Sequence, residues 1–226
     1  MEEKYTRFFL ALQHRLAQPL PGLAAHQKMA SSISSSASFR AVTDGKSRQS
    51  AVLLLLYPYQ GTLHLPLILR PAYDGVHGGQ VALPGGGQEK FDRDLIQTAL
   101  REAQEEIGIK ASDIRVLGQL SPLYISASNY VVQPVVGCLP YRPDFFPDAR
   151  EVAEIIELSL SLLADKGIVG TKELLIRNVL IQAPFYGVHS HIVWGATAMM
   201  LSEFLTTLDE IGEADKNILD SKTKKS

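Results

Sequence analysis

Tyr5, Phe8, Phe9, Leu12 and Leu16 recur at spacings of three and four. This pattern predicts an amphipathic helix over residues 3–18 that covers part of a core and ends before Pro19 and Pro21. The Ser-rich stretch 31–36 has little to bury and reads as a loop. From Ser50 the pattern turns to β, with a strand over 51–59, a turn at Gln60-Gly61 and a second strand over 62–70, together a hairpin. A glycine-rich segment (Gly75, Gly78, Gly79) and a short strand over 80–83 lead into a tight loop, Pro84-Gly85-Gly86-Gly87. Ile96, Ala99, Leu100, Ala103 and Ile107 then repeat at helical spacing, with Asp92 or Asp94 available as the cap and Gly108 as the stop. Strands are predicted at 114–121 and 130–138, a loop at 141–150, an extended segment at 152–158 and a short helix at 160–164. A strand at 173–181, an extended piece at 187–192 and a helix over 195–208 complete the pattern.

Strands interleaved with helices of this length predict an α/β layered domain with a mixed sheet, since hairpins and helical crossovers both occur. No linker interrupts the chain, and one core can serve roughly 250 residues. A single domain over 1–226 is therefore expected: an N-terminal helix and Ser-rich loop (1–47), a core (48–208) and a disordered tail (213–226).

Of 226 residues, 46% are hydrophobic and 20% charged, with 22 Lys plus Arg against 24 Asp plus Glu. That balance is globular, and it lacks the basic excess that nucleic-acid binding requires. The longest apolar run, 51–57, is strand length and far short of the ~18 residues of a membrane span. The single cysteine, Cys138, reads as a buried strand residue and can form neither an internal disulfide nor a cysteine-rich metal site. With no basic, long-hydrophobic start at the N-terminus, the cytoplasm is the expected location. His189 and His191 share a strand face but lack a third ligand nearby, so they read as structural or pocket histidines.

Chemistry concentrates on the helix at 95–107. At 100° per residue from Ile96, Glu105, Glu102 and Glu106 fall at roughly 180°, 240° and 280°, so three carboxylates share one side and Glu106 borders the apolar face. Under a sheet loop such acids would repel, raise one another's pKa values or recruit a cation. Oxygen-only ligands suit Mg²⁺ or Mn²⁺, which keep waters and use substrate phosphate to complete an octahedron. Gly85, Gly86 and Gly87 would let the backbone approach that ligand, and a carbonyl there could add another oxygen.

The string Arg101-Glu102-Ala103-Gln104-Glu105-Glu106-Ile107-Gly108-Ile109 resembles the second half of the Nudix box, with Gly87 at the position of the box's opening glycine. Arg93 stands where the general pattern has a glutamate that supports the box arginine, which leaves Asp92 or Asp94 to substitute. Upstream, Leu67, Arg70, Gly79, Pro84, Gly85 and Gly86 keep the spacing of the coenzyme A pyrophosphatase branch, while Ile68, Pro71, Gly75 and Leu83 depart from it. The segment 192–198 also looks like that branch.

The resemblance implies a Nudix-type α/β/α sandwich and a pyrophosphohydrolase that cleaves coenzyme A or its derivatives to 4′-phosphopantetheine and adenosine 3′,5′-bisphosphate. It implies Glu102, Glu105 and Glu106 as metal ligands, Arg101 as their orienter, and Glu102 or Glu105 as the base, with the loop acids Glu151 and Glu154 as alternatives. Arg70 and His77, with Gly85, Gly86 and Gly87, are the implied substrate-binding residues. The expected partner is a small nucleotide substrate, with no nucleic acid and no membrane, and a homodimer is compatible with the sequence. The alternatives are a Nudix hydrolase of ADP-ribose or NADH, and a Nudix-fold binding or sensor domain without turnover.

Overall fold

A computed structural model describes residues 2–32, 47–72, 78–176 and 179–212. Most of the Ser-rich loop, Gly75, His77 and the tail at 213–226 lie outside these described residues. The elements run α1 (Glu3–Leu16), α2 (Leu23–His26), β1 (Arg48–Tyr59), β2 (Thr62–Leu69), β3 (Val81–Ala82), β4 (Gly85–Gly87), α3 (Leu95–Ile107), β5 (Arg115–Gln119) and β6 (Leu123–Ile125). Then follow β7 (Tyr130–Cys138), β8 (Glu154–Ser159), α4 (Leu160–Leu163), β9 (Val169–Ile176), β10 (Val179–Val188), β11 (His191–Trp194) and α5 (Gly195–Asp209).

β1 is the hub of a mixed sheet, antiparallel to β2 and β4 and parallel to β7, which pairs Arg48 with Tyr130 and Leu56 with Cys138. Its unbroken apolar run is explained by burial on both faces. Leu53, Leu55 and Tyr57 pack with Ala99, Ala103 and Ile107 of α3. Leu54 and Leu56 pack the other way, into a core with Phe8, Phe9 and Leu12 of α1 and Phe204 of α5. The layers are thus helix, sheet, helix, with an antiparallel β9–β10–β11 sheet against the α5 side, where Tyr186, Val188 and Val193 join the same core. Cys138 is buried, as its strand context predicts. No helix among the described residues is long and apolar enough to cross a membrane.

Three local expectations are corrected. The Pro84–Gly87 loop is in fact a strand, β4, with Val52 opposite Gly85 and Ala51 opposite Gly86; side chains vanish here so that α3 can lie close above it. The strand expected at 173–181 is two strands, because Ile176 pairs with Val179 and the chain reverses between them. The apolar residues on both sides of that reversal read as continuous in sequence. The piece expected at 187–192 belongs to a second reversal in which His189 takes φ +52° between β10 and β11.

A buried polar cluster ties α2 to α5. Glu203 is fully buried; it pairs with His26 Nε2 at 2.8 Å and accepts the amides of Gly22 at 3.0 Å and Ser121 at 3.2 Å. Burial raises its pKa, but the hydrogen bonds from His26 and Ser121 outweigh that and leave the carboxyl below its ordinary range.

Candidate active site

α3 is aimed by its ends. Asp94 caps it by accepting the Gln97 amide at 2.8 Å, and Gly108 closes it in the left-handed region, φ +73°, where a side chain would collide with Phe146. The small Ala99 and Ala103 seat it against β1, and this contact turns Glu102 and Glu106 toward the glycines of β4.

Glu106 is the buried member of the string, 1% exposed. Its carboxylate accepts the Gly85 amide at 2.7 Å and lies 3.6 Å from Arg70 Nη2, which itself donates to the Gly85 carbonyl at 3.1 Å. Burial pushes its pKa up to about 7 against the pull of Arg70 and the Gly85 amide, and Glu102 and Glu151 add repulsion. Glu102 lies under Gly86, where any β-carbon would strike its carboxylate. Its pKa is also raised, first by burial, with Arg101 opposing and Glu105 and Glu151 reinforcing. Glu105 differs: its side chain is 58% exposed, and its carboxylate accepts Arg101 Nη1 at 2.9 Å on the helix surface.

Arg101 gathers the surrounding groups. Nε and Nη2 donate to the two oxygens of Asp92 at 3.0 and 2.9 Å, Nη2 also reaches the Gly87 carbonyl at 3.0 Å, and Nη1 is 2.8 Å from Glu102. Asp92 is fixed in turn by the Glu89 amide at 2.9 Å and the Thr98 hydroxyl at 3.0 Å. The Arg101 hydrogen bonds, against the opposing effect of burial, hold the Asp92 carboxyl down at about 2. Arg93 points outward to Gln97. Of the two acids open to supporting Arg101, Asp92 therefore does so, while Asp94 is occupied as the cap.

These groups line one end of a cleft of about 500 Å³. Arg70, Glu102, Glu106, Glu151 and the β4 glycines form that end, and Trp194, Met199, Met200, Leu123 and Ile181 are among its apolar walls. Met199 and Met200, legible in sequence only as core, are buried residues that also border this space. Their one signal was proximity to the 192–198 segment. Glu154 and His191 are 3.2 Å apart, away from this cleft wall. His77 lies outside the described residues, so its expected phosphate contact has no geometry here.

Among the described residues no three His, Cys, Asp or Glu side chains gather closely enough to hold a metal ion by themselves. The donor chemistry nevertheless fits a hard divalent cation. Two acids of raised pKa face one cleft, Glu106 with Arg70 beside it and Glu102 with Arg101 beside it, and Mg²⁺ is commonly held by one or two carboxylates completed by water and substrate phosphate.

The Nudix domain model matches residues 47–155. A protein of Photorhabdus laumondii named Uncharacterized Nudix hydrolase NudL is 39% identical over 127 residues, 56% of this chain and 67% of that protein. Its namesake from Pectobacterium atrosepticum is 46% identical over 115 residues, 51% of this chain and 59% of that protein. The crystal structure of RenU, a Nudix hydrolase from M. smegmatis, superposes with a TM-score of 0.52 at 19% identity, covering 74% of this chain and 88% of that one, which is a likeness of fold. With the box glutamates presented on α3 beneath β4 and with relatives at this identity, the chain belongs to the Nudix hydrolase family of pyrophosphohydrolases.

Proposed function

We propose that the chain hydrolyses the diphosphate of coenzyme A or its derivatives, releasing 4′-phosphopantetheine and adenosine 3′,5′-bisphosphate. The observation that carries the hydrolytic part is the pair of enclosed carboxylates, Glu102 and Glu106, facing a glycine-walled cleft beside Arg70. The coenzyme A part rests on the register of Leu67, Arg70, Gly79, Pro84, Gly85 and Gly86 with the branch signature.

Glu102 and Glu106 would hold Mg²⁺ or Mn²⁺, and Glu105 would have to leave Arg101 to join them. Such an ion, when bound, polarises phosphoryl oxygens and lowers the pKa of a water. Arg70, which lines the cleft beside Glu106, would neutralise a substrate phosphate, and the bare β4 backbone would let the diphosphate come close. Glu151, in the cleft and near enough to repel both acids, or Glu102 would take the proton from the attacking water. Glu154 is engaged by His191 and is the weaker choice. Arg101 orients rather than reacts, because its donors are consumed by Asp92, Glu102, Glu105 and the Gly87 carbonyl.

The test is incubation with coenzyme A and Mn²⁺, with chromatography expected to show both products. Cleavage of ADP-ribose or NADH with coenzyme A left intact would overturn the substrate assignment. Binding without metal-dependent multiple turnover would favour a sensor domain instead.

The Asp92–Arg101 pair makes its own prediction. Asp92→Asn is expected to lower kcat/KM roughly ten- to hundredfold, the usual cost of removing a partner that orients a site's ligands. A rate equal to wild type would mean that Glu102 and Glu105 alone suffice to hold Arg101.

A further inference from the structure

The charged lining residues of the cleft are Arg70, Glu102, Glu106 and Glu151. Arg70 lies 3.6 Å from Glu106, and Glu102 and Glu151 both act electrostatically on Glu106, so the four form one group. None of them comes from β11 or α5. Those two elements bring to the lining Trp194 and then the first turn of α5, Gly195, Ala196 and Thr197.

That turn is uncapped. The first amides of a helix have no partner within it. Trp194 stands at the N-cap, where its indole can donate but not accept, and among the described residues no other acceptor takes the amides of Gly195, Ala196 or Thr197. The turn carries no acidic residue, so nothing in its own helix offsets the positive end of the helix dipole. Gly195 adopts φ +63° with nothing within 4 Å of where its β-carbon would stand, which leaves the backbone bare on that side.

Thr197 points to a ligand independently. It is 7% exposed, it borders the cleft, and its hydroxyl has no hydrogen-bond partner among the described residues. A hydroxyl so enclosed costs free energy unless something in the cleft pairs with it. Side chains of a helix lean toward its N-terminus, which brings this hydroxyl to the side of the unpaired amides.

Amides and a hydroxyl gathered at a helix N-terminus suit a phosphate. The diphosphate is already provided for by Arg70 and the acids, so the group that fits here is a further one. Ser50, Tyr124 and Tyr130, also in the lining, give a sugar and a base polar partners elsewhere in the cleft.

We propose that the first turn of α5 is a second phosphate site, in which the Gly195, Ala196 and Thr197 amides and the Thr197 hydroxyl take a phosphate monoester that the substrate carries apart from its diphosphate. On the coenzyme A reading, on which this identification of the group rests, it is the ribose 3′-phosphate.

Two measurements test it. The first titrates inorganic phosphate into isotope-labelled, metal-free protein followed by amide NMR. Saturable shifts are expected at Gly195, Ala196 and Thr197, with affinity about tenfold weaker in Thr197→Val, which keeps the side chain's shape and removes its hydroxyl. The second compares kcat/KM for coenzyme A and 3′-dephospho-coenzyme A with Mn²⁺. Coenzyme A should be favoured about tenfold or more, and Thr197→Val should bring the ratio toward one. Phosphate shifts confined to the β4 amides, or equal cleavage of the two compounds, would overturn the site and leave the proposed reaction standing. If the α5 amides shift and Thr197→Val weakens the binding while no coenzyme A compound is cleaved, the phosphate site stands and the coenzyme A reading falls.

Discussion

Glu106→Gln is expected to reduce metal-dependent hydrolysis about a hundredfold or more, the scale on which loss of one group stabilising transition-state charge is felt. The substitution keeps the side chain's volume, and its amide oxygen can still accept the Gly85 amide, which the carboxylate meets at 2.7 Å. It removes the negative charge that Arg70 faces at 3.6 Å and that a divalent ion would need. Stability should move the other way. A carboxyl raised to about 7 in the folded protein binds its proton more tightly there than in the unfolded chain, where the value is ~4.3. Its contribution to metal-free stability therefore declines as pH rises from the unfolded value through the folded one. Thermal unfolding of the metal-free protein between pH 5 and pH 8 should show the wild type losing ground to Glu106→Gln as pH increases, while activity stays with the wild type. Equal rates for the two proteins would remove Glu106 from the metal site.

The second large effect is structural. Glu203→Ala is expected to destabilise the fold by about 3–5 kcal/mol, the range for removing one partner of a buried ion pair. The loss strands the Gly22 and Ser121 amides and His26 Nε2 in a region where Glu203 itself has no exposure. Urea unfolding of the two proteins measures it, and a difference below ~1 kcal/mol would mean that water replaces the carboxylate without penalty. The pH dependence follows from the depressed pKa of Glu203. Its stabilisation is complete above the unfolded carboxylate value and is lost as acid carries the pH down through the folded one. Wild type and Glu203→Gln should thus converge in stability as the solution is acidified.

The sequence reveals most where one residue period has one structural consequence. The apolar repeat from Ile96 to Ile107 could only be the buried stripe of a helix, and rotating Glu102, Glu105 and Glu106 around it put Glu106 at the edge of the core, where the structure has it 1% exposed. The same rotation could not say which acid an arginine would draw away. Arg101 holds Glu105 outside the cleft and leaves Glu102 beneath Gly86, and this depends on the height of β4 above the helix. Likewise Asp92 and Asp94 are equivalent acids on paper. Only the chain path, with the Glu89 amide and Thr98 converging on Asp92, separates a helix cap from an arginine partner. Strand β4 was unreadable because three glycines carry no pattern of burial. Met199 and Met200 were legible as buried but not as bordering a cavity, since burial in sequence does not distinguish a core neighbour from an empty one.

The parallel alignment of β1 with β7 has a temporal consequence. Strands that lie side by side at the centre of the sheet are separated along the chain by the entire acidic helix and by strands β2 to β6, and α1 rests on a helix at the opposite end of the chain. During synthesis the first hairpin emerges from the ribosome long before its central neighbour exists, so its apolar run must wait unpaired. High contact order of this kind slows folding and makes the nascent hairpin a natural client for chaperones, and a polypeptide ending before Tyr130 should be captured by them rather than released.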